Sequence, residues 1–498
     1  MSKVPSHTLG ITKYQLFCVL AASISSLNFG WNISATNLPG DIIIKCLANP
    51  KHNIAGLPSC LPANDITWGL VVGGFPIGAL IGALSCTRFA DKYGRKSVLM
   101  YSNLISIASA VLYGTAINIP MLAIARIVAG IAQGCANGTF TNYVVEITTP
   151  RARNSLGSMT QMSISIGQML SIIASLGLSH PPLWRILFAL TGVISLVNMA
   201  LLVFCVESPK WLACKGRLDD AKLALRQLRK SGDCTEEFQS LVDSVQAEMG
   251  PKAYTASIFD VIRGKTPDNL RHQLVLAVLA MAFQQLSGIS GVAFYSTKLF
   301  GSVTTQAVEY SIKPTMAQIL TAVLAIVGTA ATLFGMGMAG LFGRKTLMLF
   351  SHGSMALFSV LISVGTVMGF DALAIAMVFA FYSVYLLGPG PLPWVFPGEM
   401  TPIYAVSSIV AISGSVGYIG IFTIGMTFAP LLNALGGYTF LIFAATNLLA
   451  VVLFMFLLPE TKDCSVTDTI KTHSVGIHNV MLHQYRVAPS SKKDDASF

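Results

Sequence analysis

Gln161, within Ser158-Met-Thr-Gln-Met162, and the adjacent Gln284 and Gln285 stand inside otherwise apolar stretches of this 498-residue chain. A primary amide donates and accepts hydrogen bonds at once, the dual capacity that a solute rich in hydroxyl groups requires. Polar groups facing hydrocarbon are costly, so these amides are expected to line an internal cavity, hydrogen bonding between helices being the plainer alternative. Charge gives a second pattern. Asp91, Arg95 and Lys96 lie in one short polar stretch, and Glu146 and Arg153 in another. Arg95, Lys96 and Arg153 can pair with Glu146 and nearby helix ends, and partly buried pairs act as switches more than as stabilisers. Surface charges that only set orientation are the alternative. The third pattern is Gly388-Pro-Gly-Pro-Leu-Pro-Trp394. Proline removes a backbone donor and clashes with the preceding turn, so Pro389, Pro391 and Pro393, beside Gly388 and Gly390, are expected to interrupt a helix and form a hinge. Trp394 would then line the gap as a ring-stacking wall, unless the break is a simple kink.

Composition says which elements must hold these residues. The chain is 53% hydrophobic and 11% charged, against about 25% charged in an average soluble domain. A membrane-spanning helix needs about 20 mostly apolar residues, because hydrocarbon leaves the backbone to satisfy itself. Such stretches occur near 14–37, 66–87, 98–117, 121–145, 156–178 and 184–205. After a polar interval they recur near 272–297, 314–338, 346–368, 372–397, 406–432 and 438–458. The expected fold class is an all-α membrane protein of twelve transmembrane helices in two six-helix halves. The opening stretch carries Asn28 and Asn32 without a small-residue cleavage site, and is read as the first span and not as a leader.

With both termini cytoplasmic, 26 of the 32 Lys and Arg fall on that side, 5 fall opposite, and Arg126 lies within the fourth span. Cytoplasmic loops concentrate Lys and Arg, so that orientation is expected. The net charge of +10 follows from the same asymmetry, and points to anionic lipid headgroups and away from nucleic acid. The expected organisation is a cytoplasmic N-terminus (1–13), a first bundle (14–206), a cytoplasmic helical linker (207–271), a second bundle (272–458) and a cytoplasmic tail (459–498). Within the linker, Leu218 to Arg229 places apolar residues at helical spacing with charges between them. Nine cysteines show no metal-ligand spacing, but Cys46 and Cys60 share the first loop on the opposite side, where an oxidising compartment would allow a disulfide.

An internal repeat organises the charges. The stretch Phe89-Ala-Asp-Lys-Tyr-Gly-Arg-Lys96 returns as Gly340-Leu-Phe-Gly-Arg-Lys345, with Arg344 standing 249 positions after Arg95. Glu146 is echoed by Glu399, 253 positions on. Two halves on one plan imply a solute site near the bilayer midplane at their interface, exposed alternately to each side.

Further motifs are Phe29-Gly-Trp-Asn32, Arg126-Ile-Val-Ala-Gly130, Glu207-Ser-Pro-Lys-Trp-Leu212, Gln284-Gln-Leu-Ser-Gly-Ile289 and Pro459-Glu-Thr-Lys462. Together with the loop Asp91 to Lys96, they make the chain resemble the sugar porter family of the major facilitator superfamily from about Leu27 to Lys462. The likeness is greatest to its facilitative glucose-transporter branch and related fungal vacuolar members. The resemblance implies solute-binding positions at Gln161, Gln284, Gln285, Ser290, Trp394, Asn32 and Tyr418. It also implies a gating charge network of Asp91, Arg95, Lys96, Arg126, Glu146, Arg153, Arg344 and Glu399.

Several family positions depart from that pattern. The Asn that follows Gln-Gln-Leu-Ser-Gly-Ile is Ser290, an Asn of the eighth span is Gly328, the Glu before Gly-Pro-Gly-Pro is Leu386, and an Asn-Trp pair is Gly417 and Tyr418. A thinned site leaves Gln161 and the paired glutamines as the strongest polar contacts, so another hexose or a polyol suits it as well as glucose. The acid expected near Gly340 is missing and an Arg expected after Glu399 aligns with Val406, so gating charge is expected to rest mainly on the first half. Proton-coupled members carry an Asp in the first span where this chain has Asn32, which does not titrate, and no Asp or Glu lies mid-span. His352 is read as structural.

The expected function is a uniporter that carries a hexose or similar small polar solute by facilitated diffusion through alternating access. The alternatives are a proton-coupled sugar symporter and a non-transporting sensor, although the tail from Pro459 lacks an evident binding module. No nucleophile with a base, phosphate-binding glycine loop or ligand cluster stands out, so neither an enzyme, a cofactor nor a metal is expected. The expected partners are the sugar or polyol and the lipid bilayer, with one chain as the working unit. The expected location is the plasma membrane or a vacuolar or other endomembrane.

Overall fold

The computed structural model describes residues 12–46, 57–149, 159–229, 234–249, 258–266, 270–303 and 314–460. Most of these residues are helical, and none of them forms a strand. The first helices are α1 (Lys13–Ser34), α2 (Gly40–Lys45), α3 (Asp65–Tyr93), α4 (Arg95–Gly114), α5 (Ile119–Ile147), α6 (Met159–Leu178) and α7 (Trp184–Val203). Four short ones follow: α8 (Pro209–Cys214), α9 (Leu218–Leu228), α10 (Thr235–Met249) and α11 (Ile258–Arg263). The rest are α12 (Arg271–Leu286), α13 (Ile289–Val303), α14 (Met316–Leu341), α15 (Arg344–Met368), α16 (Asp371–Leu387), α17 (Leu392–Met400), α18 (Ile403–Leu435) and α19 (Thr439–Leu457).

Local sequence explains the starts. Thr12, Asn64, Asn118 and Ser208 each accept from a backbone N–H three residues on, capping α1, α3, α5 and α8. Among the described residues, eleven stretches are long and apolar enough to cross a membrane. The last, Tyr404–Leu457, runs through both α18 and α19, which a 3₁₀ turn at Gly436–Tyr438 separates.

Two pairs of helices approach through glycine. A Cβ on Gly78 would meet the Ile127 carbonyl oxygen, and one on Gly130 would meet that of Phe75, so α3 and α5 pack backbone to backbone. Gly30 and Gly167 do the same for α1 and α6 through Ile164 and Leu27. Without a hydrophobic drive between helices in lipid, such close van der Waals packing is the main source of association. In the polar interval, α9 buries Ala221 and Ala224 against Leu212, Ala213 and Val245, the face that its spacing called for.

The chain forms two compact units: residues 1–254 with 293–329 and 425–429, and residues 255–292 with 330–424 and 430–498. The tenth apolar stretch is interrupted as expected, with α16 ending at Leu387 and α17 beginning at Leu392. The seventh differs from its expected continuity. Gly288 has φ +90, a conformation that favours glycine, and it parts α12 from α13.

Candidate functional site

The first unit carries a charge cluster where α3 turns into α4. Gly94 makes that turn at φ +102, and a Cβ there would collide with the Glu207 carboxylate. Glu207 Oε1 accepts from the backbone N–H of Arg95 at 2.9 Å and of Lys96 at 3.0 Å, capping α4. The Arg95 guanidinium donates through Nη2 to Glu146 Oε1 at 2.9 Å and lies 3.1 Å from Asp91 Oδ1. Lys96 Nζ donates to the Val203 and Cys205 carbonyls at 3.0 and 2.6 Å, at the end of α7. Burial pushes the Glu207 carboxyl above the usual carboxylate range, against the opposing pull of the amides on it. Arg153 lies outside the described residues.

The same construction recurs in the second unit around the start of α15. Arg344 Nη2 donates to Glu399 Oε1 at 2.9 Å, and the Arg344 backbone N–H donates to Glu460 Oε1 at 2.7 Å. Lys345 Nζ donates to the Met455 carbonyl at 2.8 Å, near the end of α19. Glu460 stands 253 positions after Glu207, the same offset as Glu399 from Glu146. The loss of charge read from the sequence around Gly340 and Val406 therefore leaves this cluster with both of its acids. Glu207 and Glu460 escaped notice as partners because their donors are backbone amides, although both follow the last apolar residues of a half by a few positions.

Also in the second unit, the paired glutamines meet the interrupted helix. Gln284 Nε2 donates to the carbonyls of Pro389 at 2.7 Å and Gly390 at 2.8 Å. Gln285 Nε2 donates to Gln284 Oε1 at 3.0 Å, and Ser290 Oγ donates to Gln285 Oε1 at 2.7 Å. These three side chains are buried and bonded to protein groups. Trp394 is 40% exposed, with the Tyr418 ring 6.3 Å away at a steep angle. His352 is fully buried, its Nδ1 2.8 Å from Asn447 Oδ1.

In the first unit, Gln161 is half-buried on α6 and its amide has no hydrogen-bond partner among the described residues. Asn32 donates to the Asn28 carbonyl at 2.9 Å, while its Oδ1 is buried without a partner among the described residues. Arg126 is not among the partners of Arg95. Its Nη1 donates to the Asn32 carbonyl at 2.6 Å, Nε and Nη2 make longer contacts with Val71 and Val72 carbonyls at 3.3 and 3.4 Å, and the guanidinium sits 5.0 Å from the centre of the Phe75 ring. Pro76 cannot donate to Val72, and Asn32 lies in the last turn of α1, so two of these carbonyls lack helical donors.

Cys46 and Cys60 are bonded. Nearby, Asn37 Nδ2 donates to the Ala293 carbonyl at 2.8 Å and Ser296 Oγ at 2.7 Å, and Asn37 Oδ1 accepts from the Thr297 N–H at 3.2 Å. Lys298 Nζ pairs with Asp65 Oδ1 at 2.9 Å. These contacts fasten α13 to the turn that follows α1 and to the start of α3 within the first unit. Nothing in the sequence marks either contact, since a lone opposite-charge pair 233 positions apart carries no local signal.

Comparisons bear on what this arrangement does. The family model described as "Sugar (and other) transporter" matches residues 17–469. Among curated proteins, the chain is 26% identical over 489 residues to human solute carrier family 2, facilitated glucose transporter member 14, covering 96% of this chain and 91% of that one. It is 29% identical over 475 residues to facilitated glucose transporter protein 1 of Caenorhabditis elegans, covering 92% and 90%. Among solved structures, the inward-open xylose transporter XylE from E. coli superposes with a TM-score of 0.73 at 20% identity, over 91% of this chain and 98% of that one. That likeness shows the fold.

Proposed function

The chain belongs to the sugar (and other) transporter family, and from that premise we propose that it is a twelve-span uniporter carrying a hexose or a similar polyhydroxyl solute by alternating access. One observation carries the mechanism: each unit has an arginine-glutamate pair whose arginine backbone is capped by a second glutamate, Arg95 with Glu146 and Glu207, and Arg344 with Glu399 and Glu460. Ion pairs that are one-tenth to one-quarter exposed sit where breaking and remaking them is cheap enough for a cycle and costly enough to define two states.

In this reading both termini are cytoplasmic and α8 to α11 form a cytoplasmic linker. Gln161 and Asn32 offer solute an open amide and an open acceptor. Gln285, Ser290, Trp394 and Tyr418 are the proposed positions on the second half, and Pro389, Pro391 and Pro393 the hinge. Facilitated diffusion is supported by Asn32, which does not titrate, and by a neighbouring Arg126 that holds carbonyls. The printed names of the curated relatives point the same way, as facilitated glucose transporters.

Counterflow tests the cycle. Liposomes containing the purified protein and preloaded with unlabelled hexose should take up labelled hexose faster than empty ones, because a loaded carrier returns sooner. Equal rates in loaded and empty vesicles would contradict a carrier. Glu146→Gln and Glu399→Gln should each slow the exchange.

A further inference from the structure

The break between α16 and α17 leaves a backbone problem that the helix's own main chain cannot solve. After the irregular Gly388, helical bonding resumes with the Leu392 N–H donating to the Gly388 carbonyl at 3.1 Å. The next donor in that ladder would come from residue 393 to the carbonyl of Pro389. Residue 393 is proline and has no N–H. An unpaired carbonyl in a buried segment costs about as much as a lost hydrogen bond, and this one is paired with Gln284 Nε2 at 2.7 Å. The same nitrogen also reaches the Gly390 carbonyl at 2.8 Å.

We infer that Gln284 is a positioning residue: its amide replaces the donor that Pro393 removes, and thereby ties the break in one helix to the break in another. The inference deepens the proposed function, resting on that reading only where it treats the α16–α17 break as a moving gate. Gln284 lies in the last turn of α12, immediately before Ser287 and Gly288. A one-way chain of hydrogen bonds leads to it across the α12–α13 break: Ser290 Oγ to Gln285 Oε1, Gln285 Nε2 to Gln284 Oε1, Gln284 Nε2 to Pro389 and Gly390. A solute hydroxyl that bonds to Ser290 or Gln285 must take a place in this chain, and so changes the hold on the gate. Gln284 Nε2 spends its donors on Pro389 and Gly390, and its Oε1 accepts from Gln285. Gln285 is fixed against its neighbours as well, since a Cβ on Gly420 would meet its side chain at 2.7 Å.

A double-mutant cycle tests this. Gln284→Met keeps the side-chain length and removes the donor, whereas Pro393→Ala restores a backbone N–H that can reach the Pro389 carbonyl. Backbone hydrogen exchange of the peptide spanning 385–396 in the purified protein should speed up about tenfold in Gln284→Met, the size expected for one buried hydrogen bond. It should rise much less when Gln284→Met is made in a Pro393→Ala background. Ser290→Ala, at the far end of the chain, should move exchange in the same direction by less, and remains usable should Pro393→Ala fold poorly. In reconstituted vesicles Gln284→Met should lower the maximal rate with KM little changed.

Equal acceleration in both backgrounds, or none in either, would overturn the positioning role. A raised KM with unchanged exchange would overturn it in favour of direct contact with solute. Because exchange is read without any solute, absence of transport for every sugar tried would count against the sugar reading and leave this test decisive.

Discussion

Arg126 Nη1 stands 2.6 Å from the main-chain oxygen of Asn32, and the guanidinium ion-pairs with no carboxylate among the described residues. A fully buried cation held by carbonyls and a ring face is tolerable only because its donors are spent on backbone groups that α1 and α3 leave open.

Removing it should expose that dependence. Arg126→Leu leaves the Asn32 and Val72 carbonyls unpaired, at about 1–3 kcal/mol each, and is expected to lower the melting temperature of the purified protein by several degrees. Arg126→Lys should recover only part of the loss, because an ammonium is a point donor and the three contacts need a planar fork. Equal melting temperatures for the two variants would contradict this account.

Glu207 offers a pH test. Its folded-state pKa is raised by burial, so the folded protein holds this proton to higher pH than the unfolded chain does. The stability it contributes is present below the unfolded carboxylate pKa, near 4.3, and is lost as pH rises through the folded value. Glu207→Gln keeps an oxygen for the Arg95 and Lys96 amides and removes the titration. Thermal melts between acidic and neutral pH should therefore show a shallower decline in the variant than in the parent. A parent whose stability climbs with pH over that window would refute the assignment.

Lys298 and Asp65 fasten α13 to the start of α3. The pair is partly exposed, so Lys298→Met is expected to change the transport rate by roughly two- to fivefold, the kinetic equivalent of about 0.5–1 kcal/mol. Exchanging the charges, Lys298→Asp with Asp65→Lys, should return the rate toward the parent value. A swap that is worse than either single change would show that the contact matters for packing and not for charge.

Much of this was legible in the residues. The apolar stretches, the break at Pro389 to Pro393 and the paired arginines at 95 and 344 all follow from period, proline chemistry and an internal echo. The break at Gly288 was not, because glycine is common inside membrane helices and only its positive φ marks the interruption. For the glutamines, sequence gives polarity without direction: an amide in an apolar span faces either a cavity or another helix, and Gln284 takes the second course toward Pro389. Glu460 was hidden for a related reason, since its partner is the backbone of Arg344 and no side-chain pattern records that.

The central claim is solute-driven uniport, and the most direct measurement is uptake of a labelled panel of hexoses, pentoses and polyols by the reconstituted protein, with and without an imposed proton gradient. The account predicts that at least one sugar equilibrates across the membrane at a rate the gradient does not alter, and that Gln161→Ala, which removes the open amide of α6, abolishes this uptake. Accumulation of a sugar above its outside concentration, sustained by the gradient and lost on its collapse, would contradict it.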